Sequence, residues 1–103
     1  MPRWKNAMVK IAILGFGVIG SGVAELLTQN AEKIARSAAS EVQLKYILDI
    51  RSFPESPFAN KFVDNFDCIV EDPEVQIIVE SIGGIGAAYD YTKRALLAGK
   101  SVV

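Results

Sequence analysis

A doubly wound α/β fold, in which helices cover both faces of a parallel sheet of about four strands, is the class this sequence predicts. Three observations carry that expectation. Short runs that are apolar on both sides alternate with amphipathic stretches. The first such run ends in Gly15-Phe16-Gly17-Val18-Ile19-Gly20, a glycine-rich turn that opens directly into a helical pattern. Half of the 103 residues are hydrophobic, enough to build one core on each face of a small sheet.

Met8 to Leu14 (MVKIAIL) reads as a buried central strand, because it is short, β-branched and ends at glycine. A first helix is expected from about Val18 to Ala38. Val23, Leu27, Ile34 and Ala38 fall on one stripe, while Glu25, Gln29, Glu32 and Arg36 face away. Ala39-Ser40 breaks it, and Val42 to Leu48 reads as a second strand. Arg51 to Asn60 should be a loop, since its two prolines suit neither a helix interior nor a central strand. Phe62 to Val70 reads as a weak helix lying over a sheet edge. Asp72-Pro73 reads as a cap with an N1 proline opening one short turn. Gln76 to Glu80 is a third strand, and a helix from about Ile85 to Ala98 is closed by Gly99. Ser101 to Val103 begins a fourth strand. Residues 1–7 read as an N-terminal arm, and residues 8–103 as a single domain.

Composition narrows the chemistry. The sequence has 11 Lys+Arg, 12 Asp+Glu, one cysteine and no histidine. An imidazole base, a Ser-His-Asp triad and a His-ligated zinc are therefore absent from this chain, and one cysteine forms no internal disulfide. The balanced charge leaves no basic footprint for nucleic acid. Ile11 to Ala24 is uncharged behind Arg3, Lys5 and Lys10, but it holds four glycines and runs into an amphipathic helix. That argues against a signal peptide or membrane span, so a cytoplasmic protein is expected.

The alternation of strand and helix implies right-handed crossovers, with ligands gathered at the carboxyl ends of the strands. Those ends are Gly15–Gly20, Asp49–Arg51 and Ser81–Gly84. Gly15, Gly17 and Gly20 match G-x-G-x-x-G. Gly15 permits the tight turn, Gly17 lets a pyrophosphate approach the backbone, and Gly20 lets helix and strand pack closely. The amides of Phe16, Val18 and Ile19 are the expected phosphate donors at the helix start. With a buried strand before it and an acid ending the next strand, the motif reads as the fingerprint of a Rossmann-like dinucleotide site for NAD(P). Asp49 is the candidate ribose ligand, and Arg51 could clasp a 2′-phosphate or simply pair with Asp49. Ser81, Ile82, Gly83 and Gly84 are candidates for the nicotinamide side, against the alternative of a plain strand-to-helix turn. Cys68 reads as a small buried hydrophobe, Glu71, Asp72 and Glu74 as exposed turn residues, and Glu80 as a solvated strand-end acid. One of Tyr89 and Tyr91 should be core; Trp4 has no expected role. No catalytic or metal-binding residue is assigned.

The segments VKIAILGFGVIGSGVAELL, YILDIRSFPESPF and VESIGGIGAAYDYTKRALLAGKSVV resemble the nucleotide-binding domain of homoserine dehydrogenase, from about Met8 to Val103. The resemblance implies NAD(P)-dependent interconversion of homoserine and aspartate 4-semialdehyde, on the way to threonine and methionine. It further implies a homodimer whose substrate domain follows this one. Many members of the family place arginine just before the aspartate after the second strand, whereas here Asp49 precedes Arg51, which leaves NAD and NADP both open. The family's catalytic lysine lies in a Thr-Ala-Asn-Lys-like stretch after the last strand, where this sequence stops. Neither Lys93 nor Lys100 matches it. The chain alone is thus expected to bind cofactor, with a small-molecule substrate only in a longer parent. Other readings are a stand-alone Rossmann module sensing nucleotide or redox state, and the cofactor domain of a related amino-acid or sugar-phosphate dehydrogenase.

Overall fold

The computed structural model describes residues 8–29, 41–84 and 86–103. Its elements are β1 (Met8–Leu14), α1 (Val18–Gln29), β2 (Glu41–Leu48), β3 (Phe62–Val63), α2 (Asp67–Val70), β4 (Val75–Glu80), α3 (Ala87–Leu97) and β5 (Ser101–Val102). A single 3₁₀ turn, Ala59–Lys61, precedes β3. The strands form one sheet in the order β3-β2-β1-β4-β5, and every pairing is parallel. Among the described residues no helix is long and apolar enough to cross a membrane.

β1 occupies the centre because both of its faces are apolar. Ile13 packs with Ala24 of α1, Leu44, Ile47 and Phe58 on one face. Ala12 and Leu14 pack on the other with Leu48, Phe66, Ile69, Val75, Ile78 and Ala95. That second face is covered by α2 and α3, giving the expected three layers. Tyr91 completes it by stacking on Phe66 at 4.4 Å, whereas Tyr89 is exposed. The register of β2 on β1 slips between Ile11↔Leu44 and Ala12↔Tyr46, which makes Lys45 an extra, bulged residue. The bulge puts Leu44 and Ile47 on the same face despite their odd spacing.

Several expectations need correcting. The sheet has five strands, not four. The fifth is Phe62–Val63, which pairs with Ile47 and Leu48 at the edge instead of forming helix. Only Asp67–Val70 of that stretch is helical, and the Asn65 side chain caps it by accepting from the Asp67 amide at 2.8 Å. Cys68 is exposed, not buried, because it lies on the outer side of α2, and its Sγ–H donates to the Asn65 carbonyl. Desolvation of its sulfur, aided by the Asp64 and Asp67 carboxylates, pushes the thiol pKa up, the reverse of a reactive thiolate. α3 begins at Ala87, later than expected, and ends as predicted. Gly99 has φ +84°, its amide donates to Leu96, and the Lys100 amide donates to Ala95, a Schellman closure. The expected continuation of α1 to Ala38, the Ala39-Ser40 break and the arm with Trp4 lie outside the described residues, as do Glu32, Ile34 and Arg36.

Asp72 is not a plain exposed turn residue. Its Oδ1 accepts from the Glu74 amide at 2.9 Å, the turn expected around Pro73, while its Oδ2 accepts from the Lys45 ammonium and, at 2.7 Å, from the Tyr46 hydroxyl. Lys45 and Lys10 also reach Glu74. Beneath them Lys100 is buried, and its Nζ donates to the Asp72 and Val75 carbonyls at 2.7 and 2.6 Å. Burial pushes the Asp72 carboxyl up, but Lys45, Tyr46 and the Glu74 amide together outweigh it and bring the pKa down to about 2. A group depressed on folding stabilises above its unfolded pKa and loses that contribution as pH falls through its folded value. The stability difference between the wild type and Asp72→Asn, followed by urea unfolding, should therefore shrink as pH is lowered from about 4 towards 2.

Candidate cofactor site

The carboxyl ends of β1, β2 and β4 converge on a cleft of about 440 Å³ whose walls include Gly15, Gly17, Asp49, Arg51, Ser81 and Ile82. The three loops singled out in the sequence thus meet. Gly15 has φ +94°, as a turn straight out of a strand requires, and its amide donates to the Leu48 carbonyl at 2.7 Å. Gly20 is buried against that turn. A Cβ at Gly20 would lie 1.9 Å from the Gly15 carbonyl oxygen and 2.9 Å from the Ser81 hydroxyl. Gly17 differs: a Cβ there would meet nothing within 4 Å. The side chain missing at Gly20 makes room for backbone, and the one missing at Gly17 leaves open ground above the helix mouth.

Val18 and Ile19 open α1, where no earlier turn supplies carbonyls for their amides. Both residues are exposed, as are Ile50 and Ile82 nearby, so apolar side chains rim the cleft. The expected donor role of Phe16 is corrected, because its amide is already committed to Asp49 Oδ2 at 2.8 Å. Its ring meets Phe53, Phe58 and Phe62 edge-on at 5.1, 6.1 and 4.9 Å. This aromatic cluster fastens the Arg51–Asn60 loop to the glycine-rich turn, a support the sequence reading missed. Phenylalanines at 16, 53, 58 and 62 were its only sequence signal.

Asp49 and Arg51 do pair. The Arg51 amide and Nε donate to Oδ1 at 2.8 and 3.0 Å, and Nη2 donates to Oδ2 at 2.8 Å. The guanidinium holds the Asp49 carboxyl well below the usual carboxylate range, overcoming the upward push of burial, with the Arg51 and Phe16 amides contributing. Ser81 docks the third loop. Its amide donates to Leu14, and its hydroxyl lies 2.9 Å from both the Leu14 and Gly15 carbonyl oxygens. Glu80 is half-buried, and its Oε1 accepts from the Ile82 and Gly83 amides. It holds the turn in which Gly83 and Gly84 take φ +77° and +82°. Glu80 is thus a loop clamp, more than a solvated acid.

This site suits a dinucleotide. It combines a close-packed glycine turn, an open helix mouth and a buried strand-end carboxylate on one sheet edge, as in the Rossmann class of nucleotide-binding domains. Comparison with known proteins narrows the class. The family described as "Homoserine dehydrogenase, NAD binding domain" matches residues 15–103. The chain is 34% identical over 100 residues to homoserine dehydrogenase of Lactococcus lactis and 35% over 97 residues to that of Pseudomonas aeruginosa. Each alignment takes in 92% of this chain and 23% or 22% of the relative. A crystal structure of Staphylococcus aureus homoserine dehydrogenase at pH 7.0 superposes with TM-score 0.85 at 29% identity, covering 94% of this chain and 26% of that one. The homoserine dehydrogenase of Thiobacillus denitrificans gives 0.76 at 30% identity, over 92% and 22%. The chain belongs to the family of homoserine dehydrogenase NAD-binding domains and spans about a quarter of the relatives' length.

The packing at Gly20 supplies a test that needs no ligand. Gly20→Ala should lower stability by about 1–3 kcal/mol in urea unfolding, because backbone must move to admit the methyl group.

Proposed function

We propose that residues 8–103 form the cofactor domain of an enzyme that interconverts L-homoserine and L-aspartate 4-semialdehyde. The contrast between packed Gly20 and open Gly17 carries the cofactor part of this reading, because it leaves a side-chain-free approach to the backbone where a pyrophosphate would rest. Gly15 to Gly20 receive the pyrophosphate, with Val18 and Ile19 as amide donors. Phe16 positions the turn from behind through its bond to Asp49. Asp49 and Arg51 face the adenosine ribose, and Ser81 to Gly84 line the nicotinamide side. When bound, the dinucleotide supplies or accepts the hydride. The chain's own residues orient it and hold it against the sheet edge.

No residue of the chain is assigned to proton transfer. Lys93 is exposed on α3, and Lys100 is buried against the Asp72 and Val75 carbonyls at the start of β4, at the opposite end of the sheet. Substrate, proton-transferring groups and a homodimeric, cytoplasmic setting belong to this proposal for the longer enzyme. The relatives' names support the reaction, and their lengths support a further domain.

Gly17→Val should abolish NAD(P)H binding in calorimetry while shifting unfolding by less than about 0.5 kcal/mol, since nothing contacts that position. Unchanged affinity in a folded variant would overturn the site.

A further inference from the structure

The Asp49 carboxylate is saturated within its own chain. An ionised carboxylate offers about four lone-pair positions, and all four are taken. Oδ1 accepts from the Arg51 amide and Nε; Oδ2 accepts from the Phe16 amide and Arg51 Nη2. These partners differ in kind. The two amides belong to backbone fixed by the glycine turn and by the turn after β2. The other two bonds come from one guanidinium, lying side-on with one N–H on each carboxylate oxygen. The Asp49 side chain is 5% exposed, whereas that of Arg51 is 59% exposed, with Cζ 5.2 Å from the Phe53 ring centre. The guanidinium can therefore leave into solvent at little desolvation cost, and the carboxylate would stay in place on its amides.

A ribose diol carries two O–H donors on adjacent carbons. To bind a carboxylate through both, it needs one free acceptor on each oxygen, which are the two positions the guanidinium fills. We propose that Arg51 is an internal stand-in for the ribose diol, a specificity-determining residue that must release Asp49 before an adenosine ribose can dock. The inference rests on the reading of this cleft as a dinucleotide site. Towards NAD⁺, Arg51 is a competitor, since the diol replaces its two bonds with two of its own. Towards NADP⁺ it is a ligand. The 2′-phosphate has no proton for Asp49, and only the displaced guanidinium offsets its repulsion by the carboxylate. One side chain thereby acts with opposite sign on the two cofactors.

Calorimetric titration of the chain, Arg51→Ala and Arg51→Lys with NAD⁺ and with NADP⁺ tests this. Removing a pair with one exposed partner should tighten NAD⁺ roughly two- to fivefold, and loss of the phosphate ligand should weaken NADP⁺ by about tenfold or more. Lysine cannot span both oxygens as a fork, so Arg51→Lys should tighten NAD⁺ while retaining part of the NADP⁺ affinity. NAD⁺ affinity that falls or stays equal in Arg51→Ala would overturn the proposal. Hydrogen exchange supplies an independent check. The Phe16 amide should remain protected in Arg51→Ala and lose protection in Asp49→Ala; loss in Arg51→Ala would show that Asp49 depends on Arg51 for its position and would also overturn it. If the unmodified chain and Arg51→Ala both bind neither dinucleotide at millimolar concentration, the cofactor-site reading itself fails and takes this proposal with it.

Discussion

α1 can start where it does because Gly20 carries no side chain. Its Cα rests on the Gly15 carbonyl, and any Cβ would occupy the space of that oxygen. The contact sets how closely the first helix lies on the central strand. It also fixes where the Gly15 carbonyl meets the Ser81 hydroxyl, and so how the third loop approaches the first. The architecture of the cleft follows from one backbone-on-backbone contact that only glycine permits.

Around that contact, two strand-end carboxylates do parallel work. Asp49 closes β2 and holds the Phe16 amide; Glu80 closes β4 and holds the amides of Ile82 and Gly83. Each uses an acceptor to fix a turn that has no ladder partners. The positive potential of the helix mouth at Val18 and Ile19 is left facing outward. In the proposed cofactor site, rigid turns beside open amides would lower the ordering cost of binding an anion.

Most of this was legible wherever the signal is local. β1, the glycine turn and the start of α1 follow one another in sequence, each with its own periodicity or turn chemistry. β4, α3 and the Gly99 closure were equally plain. β3 was not, because two residues have no periodicity and Phe62–Val63 become a strand only through the free edge of β2. Cys68 was misplaced because the face of a single helical turn cannot be read from one apolar neighbour. At the site, the strand-end rule brought Gly15, Gly17, Asp49, Arg51, Ser81 and Ile82 to one cleft. The link between Phe16 and Asp49 was invisible, since it joins positions 33 residues apart through a backbone amide that no side-chain pattern reports. The bulge at Lys45 was hidden for a similar reason: only pairing with β1 reveals the extra residue.

The ionic cluster of Lys10, Lys45, Asp72 and Glu74 lies near the end where the strands begin, and the glycine loops lie where they finish. Along β1 the distance from Lys10 to Leu14 is about 13 Å, and substitutions that far apart generally act additively on free energy. The acid stability that Asp72 contributes and the proposed choice of nucleotide therefore sit at different ends of one small sheet. A lineage under pressure for one could alter it without passing through variants impaired in the other.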